Sequence, residues 1–439
     1  MKKLLLTTGV ALTSLALLAG CASSGGAESG KETLEVAALE GGYGVEMYTE
    51  LVAAYEKLNP DIDVVLQTSK SLEDEITPNM KAGRYPDVVV LGQGRAAGLT
   101  ESLIKDEALE DLTPVLDTTV PGESVTVGEK LTAGIVGGLN TNPYGTDETY
   151  LMPMFYSPTG LFYDQNLLAT HGWTVPTTWD EMFALGDEAE AEGISLFTYP
   201  TSGYLDSFFF ALLADVGGTD FYTDVMTYDE DVWNTPEADE VLDIATRLLS
   251  YAAPTTVGYA NEQDFTKNQQ SILDGKTIFM PNGTWIVNEM AEAPRTDGFE
   301  WGLTPLPAVS EGADRFITTS VESVWVPSAA KNTDAALDFV AYLYSDEAAE
   351  IFAGSDAIQP IEGLADTLEG ENATFYQVYD EPGVSALLGG FASTAPVEGV
   401  DIKGTLFGSA DSIISGDRTE AQWQEDISAA SEKLRQAGD

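Results

Sequence analysis

After the amino-terminal segment, the first part of the chain alternates between short apolar runs and segments with apolar residues at helical spacing. Short apolar runs at residues 34–39, 63–66 and 86–91 are typical of strands, and apolar side chains at helical spacing predict helices at 47–58 and 72–82 between them. Strands that alternate with helices predict parallel βαβ units. The last of the three runs is continuously apolar, which is typical of a strand covered on both faces.

The loops that follow two of these strands are candidate ligand-contacting segments. In α/β sheets, ligands gather at the carboxyl ends of the strands, where residues 41–44 and 92–95 lie in this sequence. Both loops are rich in glycine, but neither carries a complete phosphate-binding or dinucleotide-binding pattern. The pattern therefore predicts a binding site for something other than a nucleotide.

Capping residues and apolar stripes predict further helices along the chain. Thr178 and Glu181 have the spacing of a capping box, which predicts a helix over residues 179–191. Asn332 precedes an apolar helical stripe, and Thr419 precedes another that ends the chain. We interpret these stripes as core-facing surfaces, and we find no internal repeat.

The amino terminus predicts export and lipid attachment. Residues 1–21 combine two lysines, a short apolar run and small residues before Cys21, as in a secretory signal peptide, and residues 18–21 resemble a bacterial lipobox. We expect Cys21 to be lipidated and to anchor the protein on the extracellular face of the cell membrane, with residues 22–31 as a flexible tether. The alternative is an ordinary signal peptide with an incidental cysteine.

Composition and charge narrow the classes of partner. The 439 residues include 20 Lys+Arg and 72 Asp+Glu, which gives a formal net charge of -52. This charge rules out nucleic acids and disfavours anionic membrane surfaces as partners, because binding to either requires basic clusters. The hydrophobic fraction of 44% still permits a folded core, and the length predicts two or more lobes.

Scarcity of cysteine and histidine excludes several kinds of site. Cys21 and His171 are the single residues of their types, so the chain cannot form a Cys/His zinc site. His171 precedes a glycine that is typical of a helix end, and we interpret it as a helix-terminal residue and not as a catalytic base. We expect no metal, no cofactor and no enzymatic activity.

Several separated segments resemble one protein family. They lie at residues 55–60, 82–88, 153–164, 176–181, 273–285 and 326–345. Their order and spacing are similar to those of family 1 extracellular solute-binding proteins of carbohydrate-importing ABC transporters, the group typified by maltose-binding protein. Within that family, residues 153–163 and 193–199 are similar to members that bind N-acetylglucosamine or chitobiose.

The resemblance implies a two-lobed α/β fold of the periplasmic-binding-protein type II class. Each lobe would be a mainly parallel sheet flanked by helices, with the ligand in a cleft between the lobes. On this chain, lobe one is expected at residues 32–152 plus 302–326, and lobe two at residues 154–301 plus 327–439. Pro153 would lie in the first hinge.

The resemblance also implies a set of ligand contacts. Its strongest position is Trp285, the aromatic residue that follows an Asn-Gly pair. A neutral sugar needs aromatic platforms and planar hydrogen-bonding groups, so the candidates come from both lobes and the hinge. They are Trp285, Asn282, Gly283, Tyr43, Gln93, Arg95, Phe155, Tyr156, Ser157, Tyr199, Tyr204, Asp206, Glu322 and Ser323.

These observations predict a monomeric solute-binding protein that delivers a sugar to ABC transporter membrane subunits. Three alternatives stay open at the level of sequence. A secreted glycoside hydrolase would use two of the many carboxylates, a polyamine-binding or other cation-binding protein would exploit an acidic cleft, and an adhesin would bind no small sugar. The aromatic and Asn-Gly motif favours a sugar over a cation.

Overall fold

The computed structural model describes residues 31–438 apart from positions 96, 133–134, 139, 147 and 393–396. The predicted signal peptide, the lipidation site Cys21 and residues 22–30 of the tether lie outside the described residues. Within the described part of the chain, no helix is both long enough and apolar enough to cross a bilayer.

Nine strands of the described chain form one continuous sheet. They are β1 (Glu32–Leu39), β2 (Ile62–Ser69), β3 (Val88–Val90), β4 (Met152–Asp164), β5 (Ser195–Phe197), β6 (Thr277–Gly283), β7 (Trp301–Thr304), β8 (Arg315–Trp325) and β9 (Val384–Leu387). Their order is β2-β1-β3-β8-β4-β6-β5, with β7 paired to β4 and β9 to β8. β1 is parallel to β2 and β3, and β5 is parallel to β6, whereas β4 and β8 are antiparallel to most of their neighbours.

Helices cover both faces of this sheet. The α-helices are α1 (Glu46–Leu58), α2 (Leu72–Lys81), α3 (Leu99–Lys105), α4 (Thr113–Asp117), α5 (Val127–Lys130), α6 (Gln165–His171), α7 (Trp179–Glu192), α8 (Leu205–Met226), α9 (Pro236–Leu249), α10 (Thr256–Tyr259), α11 (Phe265–Leu273), α12 (Ile286–Glu289), α13 (Thr333–Tyr342), α14 (Asp346–Ala353), α15 (Gly370–Tyr376), α16 (Ile402–Leu406), α17 (Ser409–Ile414) and α18 (Glu420–Gly438). Short 3-10 helices occur at Ser202–Tyr204, Val232–Asn234, Ala365–Thr367 and Gln377–Asp380.

Lobe one is a parallel sheet with a core on each face. Val36 and Ala38 of β1 pack in a cluster with α1, whereas Ala37 and Leu39 pack in a second cluster with α2. This alternation follows from the period of two along a strand. The βαβ pattern predicted for this lobe is confirmed. The coverage predicted for the last strand is also confirmed, because Val88 and Val90 of β3 pack in the first cluster and Val89 packs in the second.

Lobe two is built on β5 and β6 and is rich in aromatic residues. Helices α7, α8, α9 and α18 share one buried cluster, in which Phe209 and Trp423 meet edge to face at 5.5 Å. Trp423 also donates from Nε1 to the carbonyls of Thr405 and Leu406, at 3.2 and 3.1 Å. The carboxy-terminal apolar stripe is therefore a core surface, as predicted.

Strands β4 and β8 connect the two lobes. They pair antiparallel from Met152↔Val324 to Thr159↔Thr318, with a register shift between Pro153 and Phe155. Met152 and Val324 pack in a lobe-one cluster, while the far part of β4 enters the clusters of lobe two. The predicted hinge at Pro153 thus lies at an irregularity in a strand shared by both lobes.

Parts of two segments lie in a different lobe from the one expected. Residues 302–326 were expected in lobe one, but β7 pairs with residues 161–164 of β4 in lobe two. Residues 327–439 were expected in lobe two, but α13 buries Ala336, Phe339 and Val340 in the lobe-one core. A helical apolar stripe shows that a face is buried, but it does not show which sheet covers it.

Helix caps agree with the sequence at two of three positions. The Thr178 hydroxyl accepts from the Glu181 amide at 3.4 Å, and the Thr419 hydroxyl accepts from the Gln422 amide at 3.3 Å. Asn332 was expected to cap α13, but its side chain makes no capping bond to the helix. Its side-chain Nδ2 instead donates to the Thr33 carbonyl at 2.8 Å. That bond fixes the start of α13 to strand β1.

His171 lies at the end of a helix, where its side chain contacts an aromatic ring and a carboxylate. It ends α6, stacks on Trp173 at 4.3 Å between ring centroids, and lies 2.7 Å from a carboxylate oxygen of Glu192. Gly172 follows with a φ of 73°, the left-handed conformation that favours glycine. These contacts agree with the helix-terminal role predicted for His171.

Candidate ligand-binding cleft

Three close approaches bring the loops of lobe one against lobe two. A Cβ built on Gly42 would lie 2.8 Å from Cβ of Trp285, and the Tyr43 hydroxyl lies 3.0 Å from that of Thr284. Nζ of Lys403 donates to the Gly94 carbonyl at 2.9 Å. The loops predicted at the ends of β1 and β3 therefore form one wall of a cleft, and lobe two forms the other.

A chain of hydroxyl groups forms the base of this cleft. Ser157 on β4 accepts from the Thr284 amide at 3.0 Å, and its hydroxyl lies 2.9 Å from that of Thr284. The Thr284 hydroxyl in turn meets that of Tyr43. Burial raises the pKa of Tyr43 to about 12, so its hydroxyl stays neutral and can act as donor or acceptor. Thr284 was missed in the sequence although it lies between Gly283 and Trp285.

Trp285 is a half-buried platform at the start of α12. Its ring centroid lies 6.3 Å from that of Tyr204, with 56° between the ring planes. The indole packs directly over Gly283, because a Cβ built there would lie only 2.1 Å from an indole carbon. Glycine before this platform is therefore a steric requirement, and the structure brings three of the predicted site residues together, namely Trp285, Gly283 and Tyr204.

Asn282 supports the turn that carries the platform. Its side chain is 1% exposed, and its Oδ1 accepts from the Gly283 amide at 2.9 Å. Nδ2 is buried and has no hydrogen-bond partner among the described residues. The geometry gives Asn282 a role in shaping the turn.

Glu322 brings a carboxylate from the connecting strand β8 to the ends of β1 and β3. Its Oε1 accepts from the Gly92 amide. Burial raises the pKa of Glu322 to about 7, while the nearby Arg95 guanidinium acts in the opposite direction. Arg95 itself pairs with the buried Glu73 at 3.0 Å.

Gln93, on the same loop, donates from Nε2 to the Asn140 carbonyl at 2.7 Å.

Asp206 extends from the first turn of α8 into the open part of the cleft. Its side chain is exposed, and its Oδ1 accepts from the Ser207 amide at 2.5 Å. Desolvation by the surrounding protein raises the pKa of Asp206 to about 6, while the bond from the Ser207 amide and the positive charge of Lys403 oppose this rise. Lys403 was missed in the sequence, where its position in a short helix carries no motif.

A further carboxylate, Glu289, lies one helical turn after Trp285. Oε2 of Glu289 accepts from Nε2 of the fully buried Gln269 at 2.6 Å. Burial raises the pKa of Glu289, and the positive charge of Lys70 in lobe one acts in the opposite direction. Glu289 also acts electrostatically on Tyr204. The four-residue spacing from Trp285 was the available signal for this residue.

Aromatic residues surround the hinge. Phe155 is buried and meets Tyr43 edge to face at 5.1 Å, so it supports Tyr43. Tyr156 is half-buried and contacts the rings of Tyr376 and Tyr379 at 5.0 and 5.9 Å. The Tyr376 hydroxyl donates to the Tyr156 carbonyl. Tyr376 and Tyr379 were also missed, because they follow Tyr156 by more than 200 residues.

Two predicted contacts lie away from the open cleft. Tyr199 is fully buried in the core of lobe two, where its hydroxyl donates to Asp411. Ser323 is 3% exposed, pairs with Pro153, and accepts through its carbonyl from the Leu91 amide at 2.9 Å. Ser323 adjoins Glu322 on β8, and the period of two along the strand turns its side chain away from that of Glu322. Tyr199 follows β5 and packs in the lobe-two core.

Other sites in the described chain do not coincide with this cleft. No group of three or more His, Cys, Asp or Glu side chains there has the arrangement of a metal site. A depression of about 470 Å³ lies between residues 229–234 and α18, and another of about 260 Å³ includes Gly399 and Lys433. Neither contains a predicted ligand residue, so the cleft between the lobes remains the candidate site.

Two α/β lobes, crossing strands and a cleft at the strand ends define the type II solute-binding-protein fold. Comparison with known proteins identifies the family. The family described as "Bacterial extracellular solute-binding protein" matches residues 42–350, and the chain belongs to it.

Three similar proteins agree with this assignment. The chain is 24% identical to the diacetylchitobiose binding protein NgcE of Streptomyces coelicolor over 73% of this chain and 67% of that protein. It is 21% identical to a maltotriose-binding protein of Pyrococcus abyssi over 67% of this chain and 59% of that protein. Its fold is similar to that of apo RafE from Streptococcus pneumoniae, with a TM-score of 0.71, 17% identity, and coverage of 92% and 98% of the two chains. The first two of these proteins are binding proteins by name, and the predicted family and fold class are confirmed.

Proposed function

We propose that the protein captures a sugar or oligosaccharide in its interlobe cleft and delivers it to the membrane subunits of an ABC importer. The observation that carries this proposal is the pair formed by Trp285 and Tyr204, two half-buried aromatic rings at the cleft. Aromatic rings stack on the C–H faces of sugars and contribute about 0.5–1.5 kcal/mol each beyond area burial. Neither ring is completely packed in a core.

The polar groups around this pair suit the hydroxyls of a sugar. Gln93, Arg95, Glu322 and Asp206 supply planar amide, guanidinium and carboxylate groups to the same cleft. Such groups hydrogen-bond to hydroxyls with defined direction, which gives specificity. We assign Tyr43, Ser157 and Asn282 to positioning these groups, and Phe155 and Tyr156 to the hinge. The similarity to the diacetylchitobiose and maltotriose binders supports a saccharide ligand, and saccharides that contain N-acetylglucosamine are among the candidates.

Closure of the lobes supplies the mechanism. Trp285 and Tyr204 belong to lobe two, while Gln93 and Arg95 belong to lobe one. A sugar that contacts both sets makes more contacts when the lobes are close together than when they are apart. It therefore shifts the hinge equilibrium toward the closed form by its difference in affinity for the two states. The membrane subunits of the transporter recognise that closed form.

The place of action follows from the amino terminus. Lipid on Cys21 would hold the protein at the extracellular face of the cell membrane, and residues 22–31 would allow the folded lobes to reach the transporter. We expect the protein to act as a monomer and to release its sugar unchanged.

Calorimetry with diacetylchitobiose, maltotriose and N-acetylglucosamine tests the proposal. We expect at least one saccharide to bind with a Kd on the order of 1 μM, which corresponds to about 8 kcal/mol. New reducing ends after incubation with chito-oligosaccharides would instead identify a glycoside hydrolase. Absence of any thermal shift over a broad glycan panel would favour an adhesin.

A further inference from the structure

One lysine side chain joins the two walls of the cleft by a direct hydrogen bond. Nζ of Lys403, on α16 in lobe two, donates to the Gly94 carbonyl in lobe one at 2.9 Å. Helix α16 packs against α17 and α18, and its Ile402 and Leu406 are buried in the core of lobe two. The side chain of Lys403 therefore extends from a helix anchored in one lobe to a loop of the other.

The acceptor of this bond is held in place by lobe one. The Gly94 amide donates to Oε1 of Glu101 on α3 at 2.5 Å, and the adjacent Arg95 pairs with the buried Glu73 at 3.0 Å. Gly94 has a φ of 85°, a left-handed conformation that glycine adopts readily. Lobe one alone therefore sets the direction of the Gly94 carbonyl, and lobe two supplies the donor.

The choice of partner by Lys403 is informative in so acidic a chain. With 72 Asp+Glu against 20 Lys+Arg, carboxylates are abundant acceptors for a lysine. Within the described part of the chain, Lys403 forms no ion pair, and its hydrogen bond goes to a neutral carbonyl of the opposite lobe. Lys403 also lies in the first turn of α16, where a positive charge opposes the helix dipole. Neither an ion pair nor helix stability accounts for this lysine.

We infer that Lys403 is a positioning residue that keeps the lobes closed and slows the escape of a bound solute. We call its bond to Gly94 the latch. The inference rests on the proposed function in requiring a cleft that closes over a small solute. N–H···O bonds have lengths up to about 3.2 Å, so the latch forms when the lobes are together and is lost when they separate.

A contact made in only one of two states shifts the equilibrium toward that state. The latch therefore favours the closed form over the open form. A bound solute leaves when the lobes open, so loss of the latch should speed its release. Capture begins with the open form, in which the latch is absent, so the association rate should change little.

Stopped-flow tryptophan fluorescence tests the inference, with whichever of diacetylchitobiose, maltotriose and N-acetylglucosamine wild type binds. Lys403→Met removes the ammonium group and keeps an unbranched apolar side chain. Lys433→Met is the matched control, because it removes an exposed lysine of α18 and changes the net charge equally. We expect Lys403→Met to raise the dissociation rate constant about 3–10-fold, with the association rate constant within about 2-fold of wild type.

A conservative variant separates the latch from a general effect on the fold. Lys403→Arg keeps a charged donor on a long side chain, so it should release the saccharide at nearly the wild-type rate, as should Lys433→Met. Lys403→Ala replaces Lys403→Met if the latter does not fold, as judged by circular dichroism. The inference is overturned if the variant without the ammonium group releases the saccharide no faster than Lys433→Met, or if Lys403→Arg releases it equally fast.

Small-angle X-ray scattering of the proteins without sugar gives a second readout. Loss of the latch should raise the radius of gyration of Lys403→Met above those of wild type and Lys433→Met, because more molecules have open lobes. Equal radii would overturn the inference. If wild type binds none of the three saccharides and no other glycan, the proposed function fails, but the scattering comparison still decides whether Lys403 holds the lobes together.

Discussion

A methyl group at position 283 tests the placement of the aromatic platform. Gly283 is the last residue of β6, and the Trp285 indole covers it so closely that a Cβ would lie 2.1, 2.3 and 2.6 Å from three ring carbons. Real carbon atoms approach to about 3.4 Å or more without strain. The Gly283→Ala variant must therefore move the indole by more than about 1 Å, or move the backbone of β6.

The structure indicates which of these movements occurs. Trp285 is only half-buried, so the ring can turn toward the cleft, whereas Gly283 pairs with Thr159 in the centre of the sheet. We expect the ring to move and the strand to stay in place. The stability of the fold should then fall by only about 1–3 kcal/mol, as in other overpacked sites. The displaced ring loses its stack on the sugar, which lowers affinity by about 0.5–1.5 kcal/mol, or up to about 10-fold.

Calorimetry with the saccharide that wild type binds measures this loss, and thermal unfolding measures the fold. Gly41→Ala is the matched control, because a Cβ at Gly41 meets nothing within 4 Å and the residue lies in the facing cleft loop. We expect Gly41→Ala to bind like wild type. If Gly283→Ala also binds like wild type, Trp285 does not form the sugar platform in the position described.

Three further predictions concern the site and the lobes. Trp285→Ala should lower sugar affinity by at least about 10-fold and leave circular dichroism unchanged, and near-normal affinity would contradict the placement of the platform. The pKa of Glu322 is raised to about 7, so the folded protein binds a proton there more tightly than the unfolded chain does. Folding stability from this group should therefore fall as pH rises from about 4.5 to about 7, and the Tm of Glu322→Gln relative to wild type should rise over the same interval; a pH-independent difference would refute this. Phe339→Ala removes a core ring that meets Tyr55 edge to face at 4.9 Å, and should cost about 3–5 kcal/mol in urea unfolding. Hydrogen exchange should then increase in β1 and α1, whereas an increase confined to lobe two would contradict the position of α13.

Local patterns were sufficient for much of the fold. The apolar runs at residues 34–39 and 86–91 predicted parallel strands, the second of them covered on both faces, and β1 and β3 have that arrangement. Thr178 and Thr419 were recognised as caps because a cap depends on residues three positions apart. The Asn-Gly pair before Trp285 was recognised by its resemblance to one family, and the steric contact explains the glycine.

Contacts between distant residues could not be predicted in the same way. Tyr376 meets Tyr156 across 220 positions, and Lys403 meets Gly94 across 309. Neither contact has a local pattern, because the two partners belong to segments that only the folded chain brings together. For the same reason α13 was assigned to the wrong lobe, although its buried face was recognised correctly.

The sequence by itself determined the strand and helix types, the acidic surface and the family, and it predicted Trp285 as the platform residue. The tertiary structure decided which polar and charged side chains lie beside that platform in the cleft. Composition records a net charge of -52 for the whole chain, but it does not record position. Electrostatic interaction weakens with distance and with solvent screening, so the charged groups that line the cleft act on a ligand more strongly than the many acidic residues outside.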